Sequence, residues 1–289
     1  MQVVISILFD GLAYGMMLFV IAVGLSVTMG LMGFVNLAHG AFAMLGGYVT
    51  TSAVSALGVP FLLALLIAFL VVGAGSVVVE RLLYARLYDA PELDQVMLTI
   101  GLVFMATAAV TFIFGPAPVP VRLPDWLRGP VDLGFRSFPA YRVFLILVGL
   151  LFMALLWLVF ERTLLGAQIR AAVDNRRMAQ SVGINVDRLF TLTFAFGSGM
   201  AALGGGLAID IVGLSPTFAI QYLVLFLIVV AIGGMGSLWG AFLAALILGF
   251  LDNAGKYLWP EGGGFFIYVV TVALLLARPD GLLARSRRA

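Results

Sequence analysis

Residues 60–79 read PFLLALLIAFLVVGAGSVVV, twenty positions without a charge and with Ser76 as their one hydroxyl. A helix rises about 1.5 Å per residue, so this run extends about 30 Å, the thickness of a bilayer's hydrocarbon core. A soluble helix of that length carries polar residues along one face, and none recur here. The stretch reads as a membrane-spanning helix.

Comparable runs recur on both sides of it, at 3–31, 36–57, 96–114, 141–160, 190–212, 221–232, 238–258 and 265–277. These make nine candidate spans with ends good to about 2 to 4 residues, so the expected count is about eight to ten. Composition agrees: 63% of residues are hydrophobic and 10% charged, against about 25% charged in soluble domains. Mean hydropathy is +1.16. In lipid every backbone N–H and C=O needs an internal partner, and an outer-membrane barrel would show short alternating segments instead. The fold class is therefore all-α, a polytopic transmembrane helical bundle forming one domain over 1–289. The first run is long enough to be tilted or broken and the second contains Asn36 and His39, which leaves room for broken or re-entrant helices.

The start of the chain has no basic region and no small-residue cleavage site, so the first run is read as a retained span. The absence of cysteine excludes disulfides, thiolate metal sites and cysteine nucleophiles. A pI of 9.1 raises the question of nucleic acid. The basic residues instead lie in short loops beside spans, where they act as topology signals, and nucleic acid is excluded as a partner. Eleven of the sixteen fall in 81–86, 162–188 and 278–288. Placing those segments in the cytoplasm suits nine spans, with the N-terminus outside and the C-terminus inside.

Two span exits echo each other, Val79-Glu80-Arg81-Leu82-Leu83 and Phe160-Glu161-Arg162-Thr163-Leu164. A second echo pairs Gly40-Ala41-Phe42-Ala43 with Gly240-Ala241-Phe242-Leu243. Both fit a pseudo-symmetric translocator built from repeats, and both fit chance in a small apolar alphabet.

No phosphate-binding loop is present. Lys256, the one lysine, sits in Ala254-Gly255-Lys256-Tyr257, with tyrosine in place of the hydroxyl ligand and Phe250 where the first glycine belongs. The chain is expected to bind no ATP, to need no cofactor or metal, and not to be an enzyme. A secondary transporter usually places acidic or histidine relays inside the membrane. Here Asp10, Asp210 and Asp252 fall near span ends, and His39 alone lies deeper. Energy supplied by another subunit is the better reading, and the segment 161–188 is its contact. Within it 166–182 reads as one short helix with Ile169, Ala172, Val173, Ala179 and Val182 on one face, ended by Gly183. That helix is either a lever for an ATPase or an amphipathic helix resting on lipid headgroups.

Asn36 and His39 stand three residues apart, hence on one helical face at the entrance of a span, either as part of a translocation path or as a packing cluster. Glycines cluster at 197–206 and 233–237, where small residues let helices approach closely. Gly233, Gly234 and Gly236 also suit a hinge or unwound point along the path. The loop 115–140, stiffened by Pro116, Pro118, Pro120, Pro124 and Pro130, is the largest external one.

The stretch 33–48, the segment 166–188 ending Ser181-Val182-Gly183-Ile184-Asn185-Val186-Asp187-Arg188, the run Ala231-Ile232-Gly233-Gly234-Met235-Gly236-Ser237, and the tail Arg278-Pro279-Asp280-Gly281-Leu282 resemble LivH-type permeases of branched-chain amino acid ABC importers. The resemblance covers essentially the whole chain. It implies a bacterial inner-membrane permease for leucine, isoleucine and valine that pairs with a second, homologous permease, two ATP-binding cassette ATPases and a periplasmic substrate-binding protein. Arg170, Ala171, Ala172, Arg177 and Gly183 then belong to the coupling region, and Arg170 stands where the better-known Glu-Ala-Ala form has its glutamate. Related permeases of urea, short amides and other amino acids share these motifs, so the cargo stays open between them.

Overall fold

The computed structural model describes residues 2–88, 90–120, 123–132, 137–279 and 281–283. Apolar helices follow in the expected order: α1 (Gln2–Met32), α2 (His39–Leu57), α3 (Phe61–Leu82) and α4 (Glu92–Phe114). After them come a single turn, α5 (Asp125–Arg128), and an antiparallel hairpin of β1 (Pro130–Asp132) and β2 (Ser137–Pro139). Then follow α6 (Ala140–Arg162), α7 (Leu164–Asp174), α8 (Arg176–Ser181), α9 (Val186–Val212), α10 (Phe218–Gly233), α11 (Leu238–Leu258) and α12 (Gly263–Ala277). Among the described residues seven helices are long and apolar enough to cross a membrane, and α10 and α12 are shorter apolar helices. The chain is a multi-pass membrane protein.

Burial sorts the helices into an interior and a rim. In its most apolar stretch α9 is 83% buried, whereas α4 is 17% buried and α6 22%. Side chains on the rim, such as Phe112 and Leu276, are largely exposed, as suits a surface that meets acyl chains. The glycine-rich face of α9 explains the tight interior. A Cβ at Gly205 would overlap the Ala43 carbonyl of α2, and one at Gly197 would press on Gly24 and Thr28 of α1. Without side chains the backbones close to van der Waals contact, the main attraction available between helices in lipid.

Of the alternatives left open for the first helix, tilted or broken, it is not broken but continuous. Three expectations are corrected. The second helix begins at His39, three residues later than read, because Gly33 at φ 62° ends α1 and residues 33–38 are not helical. The segment 166–182 is two helices, not one, divided at Asn175, whose extended backbone (φ −157°, ψ 102°) stops α7. Finally, α9 starts at Val186, before its apolar run, because Asn185 caps it by accepting a hydrogen bond from Arg188 N–H at 2.9 Å.

Candidate functional site

At one end of the bundle the chain leaves α6, turns through α7 and α8, and re-enters as α9. Each turn is set by a side-chain cap. Thr163 accepts from Gly166 N–H (3.2 Å), Asn175 from Met178 N–H (3.0 Å), and Asn185 opens α9. Gly183, at φ 89°, makes the turn between α8 and α9 as its position predicted. Ile169, Ala172, Ala179, Val186, Leu189 and Phe190 close over Leu31 of α1, a small apolar cluster of their own. Of the residues read as one face, Val173 and Val182 are exposed; the break at Asn175 re-aims Val182, whereas Val173 lies before it on α7. Leu164 (84%), Val182 (75%) and Met178 (66%) leave apolar surface uncovered on this segment.

Arg170 turns back to the Phe160 carbonyl, with Glu161 at 3.9 Å. Ala171 is half-buried and Ala172 buried beside it, while Arg177 and Gly183 are exposed. Arg176, which the sequence reading passed over, pairs with Asp187 at 3.2 Å and lies over the Phe190 ring at 4.9 Å.

Two interruptions lie within the bundle. In 33–38 Asn36 is not on a helix, contrary to the sequence reading. Its Oδ1 accepts from Ala38 N–H (3.1 Å) and from Tyr84 OH (2.8 Å). That turn delays α2, and His39 then donates from Nε2 to the Ile21 carbonyl at 2.8 Å, so the two residues have separate partners. The second interruption, 234–237, has Gly234 and Gly236 at φ 89° and 76°, and Gly236 N–H donates to the Ser26 carbonyl at 3.0 Å. His39, which opens α2 after the first break, and Gly236 in the second thus both bond to α1, five residues apart. Irregular backbone inside a bundle persists where protein satisfies it or where it lines a path. The glycine echo also gains a place: Gly40 and Gly240 each lie in the first turn after a break, Gly40 against the Ala219 carbonyl and Gly240 against Gly233.

The model of the family described as "Branched-chain amino acid transport system / permease component" matches residues 7–275. The chain belongs to this family. The permease is similar to the high-affinity branched-chain amino acid transport system permease protein LivH of Escherichia coli (strain K12). The two are 27% identical over 296 residues, covering 96% of this chain and 94% of the relative. The corresponding BraD of Pseudomonas aeruginosa is 26% identical over 293 residues (96% and 95%). The probable branched-chain amino acid transport permease protein LivH of Methanocaldococcus jannaschii is 23% identical over 287 residues (96% and 91%). No solved structure matches the chain.

Two features of the permease escaped the sequence reading. Ser26 of α1 and Tyr48, Thr50 and Thr51 of α2 carry buried hydroxyls, and Asn36 a buried amide nitrogen, with no partner among the described residues. Isolated hydroxyls are common in apolar helices, so nothing in their spacing marks them. The other is Glu80 near the end of α3, 2% exposed, which accepts from Tyr88 OH and from Thr191 Oγ1 (3.0 Å). Burial, and then the bond to Glu80, push the Tyr88 phenol well above its ordinary pKa, which keeps it a donor. Glu80, Tyr84 and Tyr88 stand four residues apart, a signal visible in the sequence. At the opposite end Asp10 pairs with Arg142 and Asp252 with Lys256 (2.6 Å), so these two span-end carboxylates are neutralised.

Proposed function

We propose that this permease is the membrane-spanning subunit of a binding-protein-dependent ABC importer that carries branched-chain amino acids inward across a bacterial inner membrane. The observation that carries the reading is similarity along nearly the full length to permeases named for that cargo. Separate ATPase subunits supply the energy, a second homologous permease completes the pore, and a periplasmic protein selects and delivers the ligand.

In this reading the ends of α6 and α9 face the cytoplasm, as does the C-terminus, and the segment between them docks on an ATPase. The exposed Leu164, Met178 and Val182 supply apolar contact, and Arg177 supplies charge. Arg170, Ala171, Ala172 and Gly183 hold the segment's shape. Asn36, His39, Gly233, Gly234 and Gly236 belong to the two breaks past which cargo moves, because broken helices let a path open without unfolding whole spans.

The test is ATP-driven uptake of radiolabelled leucine in proteoliposomes holding the complete complex, with unlabelled urea, short amides and other amino acids as competitors. The permease alone is expected to transport nothing, and leucine accumulation without the ATPases would overturn the reading. Arg177→Glu is expected to lower uptake while leaving membrane insertion intact. Unchanged uptake would assign the segment to the lipid surface instead.

A further inference from the structure

We propose that Glu80 is a positioning residue for transport, the buried carboxylate through which movement of the segment 161–188 reaches the break at 33–38. The proposal rests on the importer reading above and names residues that reading leaves without a role.

Glu80 differs from the other deeply buried carboxylates. Asp10 and Asp252 each face a cation, whereas the hydrogen-bond partners of Glu80 are two hydroxyls from two different elements. Tyr88 lies beyond the short turn Tyr84–Arg86 that follows α3, and Thr191 lies on α9. A buried carboxylate with no cation in ion-pair contact among the described residues depends on every hydrogen bond it has, so losing either donor leaves one of its oxygens unsatisfied. The carboxylate therefore holds α3, the 84–88 turn and α9 in one arrangement and resists intermediate ones.

On one side this clamp is continuous with the coupling segment. Thr191 follows the Asn185 cap by under two turns, Asp187 in between pairs with Arg176 of α8, and Phe190 packs edge-on to Tyr88 at 5.5 Å. On the other side it is continuous with the break. Tyr84, one turn beyond Glu80, donates to Asn36 Oδ1, and its ring packs on Phe34 at 4.9 Å and on Phe194 of α9 at 4.8 Å. Tyr88 also meets Phe34, at 6.2 Å. A displacement of the first turns of α9 is thus passed to Glu80 as a pull on Thr191, and from the same short turn to the linker that starts α2.

The experiment measures leucine taken up per ATP hydrolysed by the reconstituted complex of permeases, ATPases and binding protein. Tyr88→Phe and Thr191→Val each remove one donor with little change of shape. Each is expected to lower the ratio about three- to tenfold while hydrolysis stays within about twofold, the range that single coupling residues span. Because the two share one partner, the double variant is expected to lose less than the product of the single losses. Glu80→Gln, isosteric and able to bridge both hydroxyls, is expected to keep the ratio within about twofold of the parent. Parental ratios in both single variants overturn the proposal. So does a proportional fall of uptake and hydrolysis, which would mark a merely structural role. If the parent complex itself takes up no leucine with ATP, the importer reading fails first, and the variants are not needed to see it.

Discussion

The two helix exits 79–83 and 160–164 share a glutamate–arginine pair at the end of an apolar helix, yet they are opposite in environment. Glu80 is 2% exposed and held by hydroxyls, whereas the Glu161 side chain is 53% exposed and has Arg170 at 3.9 Å. Leu82 and Leu83 let the first exit run on into the Tyr84–Arg86 turn, which folds back over Glu80 through Tyr88. Thr163 in the second exit instead caps a new helix, so the chain moves away and leaves Glu161 in the open. The difference teaches that the same short motif is a buried clamp where a neighbour covers it and a surface corner where none does.

The largest effect that separates the two exits is charge reversal. Glu80→Lys places a cation between two donors in a buried site and is expected to cost about 3–5 kcal/mol, abolishing ordered assembly. Glu161→Lys is expected to change stability by less than about 1 kcal/mol, as exposed pairs do. Thermal unfolding of the detergent-solubilised complex compares them, and equal losses would erase the distinction. Truncation is next: Glu80→Ala leaves the Tyr88 hydroxyl without its Glu80 acceptor and Thr191 with the Asp187 carbonyl at 3.2 Å, and is expected to cost about 1–3 kcal/mol. Glu161→Ala is expected to fall within about 0.5 kcal/mol of the parent.

A smaller effect sharpens the comparison from the other side. Thr163→Ala removes the cap that makes the second exit a corner, with an expected loss of about 1 kcal/mol, and Thr163→Ser is expected to restore it. Hydrogen exchange of the α7 amides reads this locally, and protection unchanged in Thr163→Ala would show that packing of Ile169 and Ala172, not the cap, starts that helix. The smallest expected effect is at Arg162, which lies over the Trp157 ring at 5.5 Å on the exposed side. Arg162→Gln is expected to shift stability by no more than about 0.5–1 kcal/mol, the worth of an exposed cation–π contact, in the same unfolding measurement.

Much of this architecture was legible from hydropathy. The nine apolar runs reappear as nine apolar helices among the described residues, and Gly183 turns the chain where its position predicted. Besides the left-handed Gly33, the misplacements share one kind of cause. Asn36 and Asn175 each satisfy a nearby backbone N–H with the side chain, an option that competes with helix and is invisible to an apolar count. For the candidate site, the segment 161–188 was legible as the longest polar interval between spans, whereas Arg176 and the orphaned hydroxyls of α2 were not. Arg81 and its neighbours were weighed for topology, and the four-residue spacing of Glu80, Tyr84 and Tyr88 went unread.

Hydropathy was enough to read the apolar segments as helices and to give their order, because lipid offers the backbone no hydrogen bonds and forces each apolar run to satisfy its own. Tertiary structure alone decided which polar groups are buried and what they touch. Glu80 meets Thr191 from 111 residues away, and Asn36 meets Tyr84 from 48. Burial of a charge depends on what the fold brings over it, and that is a property of packed helices rather than of any one run of residues.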